Sequence, residues 1–333
     1  MNPIAKLFAF PVVLSVVLLG AVYAWGGVAA LALALLLTVL EVTLSFDNAV
    51  VNAKVLKQMT PKWQNRFLTW GIIFAVFFTR FILPILIVAV SVGMAPDAVA
   101  LLALEDPEQY GHLLENAHHA IASFGGVFLL MVSLKYFFDE RKDIHWIRSI
   151  ERTLSKFGRI DAIEIGIALT FLAIAAFYVP AHASTILFAG VIGIILFIAI
   201  EGLASTFERQ AGTAVAAGSA MLFVYLNVLD AAFSLDGVIG AFAITSQLPV
   251  IVVGLGIGAY FVRTLTVFLV RQKALETLRY LEHGAHWAIL GLAVAMLASL
   301  FYQVPEAITG LVGIVFVAAA WWSSLQEQRE AKN

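Results

Sequence analysis

Glu41-Val-Thr-Leu-Ser45-Phe-Asp47-Asn48 sets two acids, a hydroxyl and an amide inside a long apolar run, and the pattern returns as Asp230-Ala-Ala-Phe-Ser234-Leu-Asp236-Gly237. Each copy reads acid, three residues, Ser, one residue, Asp. An ionised carboxylate at the centre of a bilayer costs about 3 kcal/mol or more, so buried acids mark ion or proton pathways by default. Structural glue need not recur at one spacing. The repeated pattern points to cations moving through a membrane.

Composition agrees. Of 333 residues, 62% are hydrophobic and 13% charged, and the mean hydropathy is +0.95. Soluble domains carry about twice that charge. There is no Cys, which excludes disulfides and thiolate metal sites. The apolar run from Phe8 to Trp25 reads as an uncleaved first span. About ten spans of membrane-crossing length follow one another: 8–25, 27–51, 68–93, 117–137, 161–179, 184–206, 214–243, 248–271, 285–302 and 306–323. Of the 20 Lys and Arg, all but Arg80 and Arg263 fall on the side of the two termini, which predicts that both termini are cytoplasmic. The outer connection from Gly93 to Asn116 holds Asp97, Glu105, Asp106, Glu108 and Glu115 without a Lys or Arg; a cation-attracting vestibule and an ordinary solvated loop both fit. The inner segment 139–159 spaces Ile144, Ile147, Ile150, Leu154 and Phe157 among basic residues. It reads as an amphipathic helix, either on the anionic leaflet or packed against the protein.

The expected fold is all-α and polytopic, with about ten transmembrane helices as two inverted five-helix repeats. The first repeat covers 1–180 and includes the amphipathic segment 139–159; the second covers 181–333. In each half an acidic motif precedes an intramembrane arginine, Arg80 or Arg263, and then a Gly-bearing span, Gly125-Gly126 or His283-Gly284. An odd number of spans per repeat makes the halves antiparallel and brings their motifs together at mid-depth.

Residues six apart on an ideal helix, such as Glu41 and Asp47, point about 120° apart and lie ~9 Å apart along the axis. Both reach one ion only if the backbone bends, so Ser45–Asn48 and Ser234–Gly237 are expected to depart from regular helix. Carboxylate, amide, hydroxyl and carbonyl oxygens suit Mn2+, Mg2+ or Ca2+. The expected metal ligands are Glu41, Ser45, Asp47, Asn48, Asp230, Ser234 and Asp236, converging on one compact site. Four acids against two arginines leave a balance that one divalent cation neutralises; guanidinium cannot accept, so Arg80 and Arg263 are counter-ions or clamps. Glu201 is as readily a paired structural acid as a functional one. His118 and His119 could shuttle protons or be unremarkable interfacial residues. Asp161 and Glu164 suit a helix start, and Asn227 could bond between helices or line the path.

The motifs also resemble those of the TerC family of integral membrane proteins, associated with tellurium resistance and manganese efflux. EVTLSFDNAVV from Glu41 to Val51 looks like that family's first signature, and DAAFSLDGVIGAFAIT from Asp230 to Thr245 like its second. Gly237-Val238-Ile239-Gly240 replaces the family's Ser-hydrophobic-Pro-Ala turn, so the chain reads as a divergent branch. Arg80, GGVFLLMVSLK ending at Lys135 and RYLEHG ending at Gly284 have family-like counterparts, and the likeness spans roughly 28–302. The resemblance implies Mn2+ export. The expectation is therefore a secondary transporter exporting a divalent cation, most simply Mn2+, by proton exchange or with the potential. The alternatives are a Ca2+ or Mg2+ carrier, or a metal-binding membrane scaffold without flux. No prosthetic group, nucleic-acid partner or enzymatic activity is expected; HExxH, GxSxG and Walker motifs are absent. The expected location is a bacterial or archaeal plasma membrane.

Overall fold

The computed structural model describes residues 3–160, 162–209, 215–302 and 304–330, with some side chains inside those ranges left out. It is all-α. Seven helices among the described residues are long and apolar enough to cross a membrane. An eighth follows if Arg148–Arg159 and Ile163–Tyr178, bent by 101°, form one span. The protein is an integral membrane protein with several apolar spans.

The main helices are α1 (Pro3–Leu44), α2 (Phe46–Lys57) and α3 (Pro61–Val92), which is π-helical over Phe74–Ile82. The short α4 (Pro96–Glu105) and α5 (Pro107–Asn116) lead to α6 (His118–Phe137), α7 (Arg148–Ser155) and α8 (Ile163–Tyr178). The rest are α9 (Ala183–Arg209), α10 (Val215–Ile244), α11 (Leu248–Arg271), α12 (Leu281–Ala298) and α13 (Glu306–Glu330). Two compact units result. One is Met1–His118 with Thr206–Gln272, the other His119–Ser205 with Lys273–Asn333. Each unit draws on both halves of the sequence.

In the first unit, α1 is folded back on itself. Gly27 takes φ 69°, ψ −160°, outside helical space and available to glycine at little cost. Contacts with α11 show the reversal. Phe8 and Phe10 meet Phe268 and Tyr260, with ring centroids 6.0 and 5.8 Å apart, while Thr38 donates to the Gly254 carbonyl at 3.1 Å. A straight helix would separate Phe10 from Thr38 by ~42 Å, whereas Tyr260 and Gly254 are only ~9 Å apart along α11. The segments before and after Gly27 are thus a hairpin lying along one helix, as two spans divided at Gly26-Gly27 require.

The second arm of the hairpin approaches α11 through Gly254 and Gly258, a small-xxx-small pair that lets two backbones come close. A Cβ on Gly254 would stand 2.7 Å from the Leu37 Cβ, and one on Gly258 would stand 2.5 Å from the Cβ and Cγ of Glu41. This packing sets the position of Glu41.

The connection 93–116, read as a cation-attracting vestibule or a solvated loop, is built of two short helices. Pro96 and Pro107 start them, and Asp106 caps the second by accepting from the Gln109 N–H at 3.0 Å. Proline suits the first helical turn because its missing N–H would have no partner there.

In the second unit, the inner segment 139–159 is helical only over Arg148–Ser155 and the short 3₁₀ turn Lys156–Arg159. Its anchor is Glu151, an acid within the expected amphipathic pattern, fully buried. An ionised carboxylate only accepts, so His283 Nδ1 carries the hydrogen of their 2.8 Å contact. Trp287 Nε1 donates at 3.0 Å, the Trp146 N–H at 3.2 Å, and Lys142 lies 3.4 Å away. The segment therefore packs on the protein through this face, while Ile150, Phe157 and Ile160 stay exposed beside Arg148, Arg152 and Arg159.

Two outcomes follow from this packing. Gly258→Leu is expected to destabilise the detergent-solubilised protein by about 1–3 kcal/mol through overpacking. Gly166→Ala, with nothing within 4 Å of its Cβ, should leave thermal unfolding unchanged. Burial pushes the Glu151 carboxyl up, but the hydrogen bond and charge of His283, then Lys142 and Trp287, outweigh it and hold the group at about 2 against an ordinary 4.5. A depressed carboxylate stabilises above its unfolded value and loses that contribution as pH falls through its folded one. The stability advantage of the native protein over Glu151→Gln should be full above pH 4.5 and fade towards pH 2, as read by thermal unfolding across pH.

Candidate functional site

The site lies within the first unit. The regular helix breaks at Ser45 (φ −100°, ψ 17°), between α1 and α2. The ladder nearly survives: Ser45 N–H donates to the Glu41 carbonyl at 3.0 Å and Ala49 N–H to Ser45 at 3.2 Å. The break is thus a kink, and it turns Asp47 and Asn48 inward, 4% and 3% exposed. The second motif differs from expectation. α10 runs unbroken through Ser234–Gly237, and Gly237 keeps a negative φ. Gly237 faces Glu41, where a Cβ would lie in ordinary contact, 3.4 Å from Oε2.

Each motif's leading acid meets the arginine of its own half. Arg80 donates to Glu41 Oε1, which also accepts from Ser45 Oγ at 3.2 Å. Arg80 Nη1 donates at 2.8 Å to the Ala75 carbonyl in the π-helical stretch, which also accepts from Thr79 Oγ1. Arg263 Nη2 donates to Asp230 Oδ2 at 2.8 Å and to Asn227 Oδ1 at 3.2 Å. Its Nη1 reaches the Phe67 carbonyl at 3.4 Å, and its guanidinium stands 4.3 Å over the Phe67 ring. Gly71 leaves the space that this guanidinium fills. All four charged groups are buried.

The two motifs also touch one another. Asn48 Nδ2 donates to Asp230 Oδ1 at 2.9 Å, and Glu41 faces Gly237. Asp230 is thereby satisfied on both oxygens, by Asn48 and Arg263. Asp47 has no ion-pair partner among the described residues. The side chain of Asp236 lies outside the described residues, as do Asp161 and the side chain of Lys6.

Among the described residues, which do not include the Asp236 side chain, no group of three His, Cys, Asp or Glu side chains is placed to hold a metal ion. Arginine neutralises Glu41 and Asp230 locally, and an ion pair with several hydrogen bonds meets the desolvation cost that a shared cage was expected to meet. What remains is oxygen-rich. Asn48 Oδ1, Ser234 Oγ and both amide atoms of Asn52 are buried without a hydrogen-bond partner. An unsatisfied buried polar atom costs about 1–3 kcal/mol, so such a group calls for a ligand, an ion or a water.

Asn52 is the residue that sequence reasoning missed. It is wholly buried and lies four positions beyond Asn48, hence on the same helix face. Asn227, read as an interhelical or path-lining residue, holds Arg263 and donates to the Phe223 carbonyl at 2.7 Å. In the other unit, His119 stacks on His182 with centroids 4.0 Å apart, and Glu201 is half-buried.

No curated protein and no solved structure matches this chain. A family profile described as a protein of unknown function, DUF475, matches residues 46–331, which takes in Asp47, Asn48, Arg80 and the whole second motif, while Glu41 and Ser45 precede it. The chain belongs to the DUF475 family.

Proposed function

We propose that this protein is a secondary transporter that exports a divalent metal cation, Mn2+ first among the candidates, past the polar contact of Asn48 with Asp230 between α2 and α10. The observation that carries the reading is the division of charge. Glu41 and Asp230 are matched by Arg80 and Arg263, and Asp47 is a buried carboxylate with no cation beside it among the described residues. Hard oxygen donors without hydrogen-bond partners are buried on the same helix and on α10: Asn48 Oδ1, Asn52 Oδ1 and Ser234 Oγ. Such a set suits Mn2+, Mg2+ or Ca2+ in preference to soft ions, and the likeness of both motifs to the TerC family favours Mn2+. Asp236 completes the charge of one divalent cation in this reading.

A buried carboxylate without a counter-charge is neutralised by a proton or by a metal ion. Exchange of one for the other gives proton coupling. The architecture we infer is ten spans in two inverted five-helix repeats with both termini cytoplasmic, and three observations support it. The Gly27 hairpin supplies two spans, each leading acid pairs with the arginine of its own half, and each compact unit combines segments from both halves. The proposal assigns no catalytic step.

Flux of Mn2+, Ca2+ and Mg2+ into proteoliposomes, with and without a pH gradient, tests this reading. Asp47→Asn and Asp236→Asn should each abolish flux while the protein stays folded and inserted. Normal flux in either would remove that carboxylate from the ligand set, and no flux of any ion by the native protein would overturn the proposal. Asn52→Leu should weaken metal binding by about 10–100-fold, the range for residues that support a metal site. Arg263→Lys should fail to restore the loss caused by Arg263→Ala, because one ammonium cannot span Asp230, Asn227 and the Phe67 carbonyl.

A further inference from the structure

An open cavity of about 420 Å³ lies in the first unit where α5 meets the end of α10. Glu108, His112 and Glu115 line it from α5, and Thr245, Ser246 and Gln247 from the turn after α10. No Lys or Arg lines it. Of the five acids in the outer connection, these two glutamates face the cavity, while Asp106 is spent as a helix cap. The Phe242 ring is part of the cavity wall.

The same ring also lines a second cleft with Tyr110, Ile85, Ala103 and Leu255, and Arg80 is part of that cleft's wall too. Its free space is only about 10 Å³, which is about one water and no more. The polar cavity and the Arg80–Glu41 pair are therefore separated by an apolar constriction in which Phe242 takes part on both sides. Phe242 packs edge-on against Tyr110 with centroids 5.2 Å apart, and Tyr110 is itself buried. Gly111 faces the ring: a Cβ there would stand 3.4 Å from Phe242 Cδ1, ordinary contact. Apolar constrictions stop hydrated ions by excluding water.

We propose that Phe242 is the outer gate of the cation path and that the cavity lined by Glu108 and Glu115 is its mouth. The inference deepens the transport reading and rests on it for the identity of what passes. The ring closes the cleft against α5, and its swing away from Tyr110 connects Arg80 and Glu41 to the cavity. The two glutamates raise the local concentration of cations at the mouth, an effect that salt screens.

The chain has no native Cys, so introduced thiols report directly on access. Ser246→Cys on the cavity wall and Ala103→Cys in the cleft would be treated with a membrane-impermeant cationic thiol reagent from the face opposite the termini. Ser246→Cys should be labelled whatever stands at 242. Ala103→Cys should be slow in the native background and about tenfold or more faster with Phe242→Ala, where water enters the constriction. Phe242→Leu should fall between, and it serves if the alanine variant does not fold. Glu108→Gln with Glu115→Gln should slow the cationic reagent at Ser246→Cys relative to a neutral one, by about fivefold at low salt. Equal labelling of Ala103→Cys with and without Phe242, or a Ser246→Cys that is never labelled, would overturn the gate. Labelling needs no transport, so a gate that behaves as stated in a protein that moves no ion would sink the transport reading alone.

Discussion

The constraint on which the first unit depends is the cost of keeping charge where water is absent. Breaking a buried ion pair by removing one partner costs about 3–5 kcal/mol, so Glu41 with Arg80 and Asp230 with Arg263 must each be placed together or not at all. Much of the surrounding packing follows from that. Gly254 and Gly258 let α1 come close enough to α11 to seat Glu41, and Gly71 clears room for Arg263. The Ala75 carbonyl in the π-helical stretch of α3 accepts from Arg80, and Asn227 and the Phe67 carbonyl accept from Arg263, whose Nε is without a hydrogen-bond partner. Both pairs occur in the unit that holds the two motifs.

Because the arginines neutralise the leading acids, the remaining groups have a different character. Asp47 turns inward at the kink after Ser45, and the buried oxygens without partners on α2 and α10 are amides and a hydroxyl. In the transport reading such a site would hold an ion by few charges and several neutral donors. That composition allows release as well as capture, since affinity for a hard cation rises with ligand charge. The contact of Asn48 with Asp230 joins the site to the Arg263 pair. Rearranging one side therefore changes the hydrogen bonding of the other.

Much of this was legible in the sequence because its signals are local and chemical. Two acids repeated at one spacing in apolar runs, each followed by an intramembrane arginine, announced the pairing of acid with base. Gly26-Gly27 announced the hairpin. What was not legible depended on close approach between distant segments. Gly237 looked like a helix breaker, yet the helix runs unbroken through it and it faces Glu41, a residue far away in sequence. Asn52 carried a signal at helical spacing from Asn48, but only its complete burial without partners separates it from an ordinary polar residue. The outer connection looked like a loop because its acids dominate the eye. The two prolines and the Asp106 cap state its helices plainly once the missing N–H argument is applied to them. For the inner segment, Glu151 sat among charges that read as a solvated face, and its partners on α12 could not be inferred from spacing.

The central claim is that the acids left over by the arginine pairs bind one divalent cation in exchange for protons. Titration of the purified protein with Mn2+ in weakly buffered detergent solution, following free Mn2+ by electron paramagnetic resonance and pH together, measures it most directly. The account predicts one ion bound per chain with proton release on binding, and loss of both signals in Asp47→Asn. Binding that is undiminished in Asp47→Asn, or a native protein that takes up no Mn2+, Ca2+ or Mg2+, would contradict it.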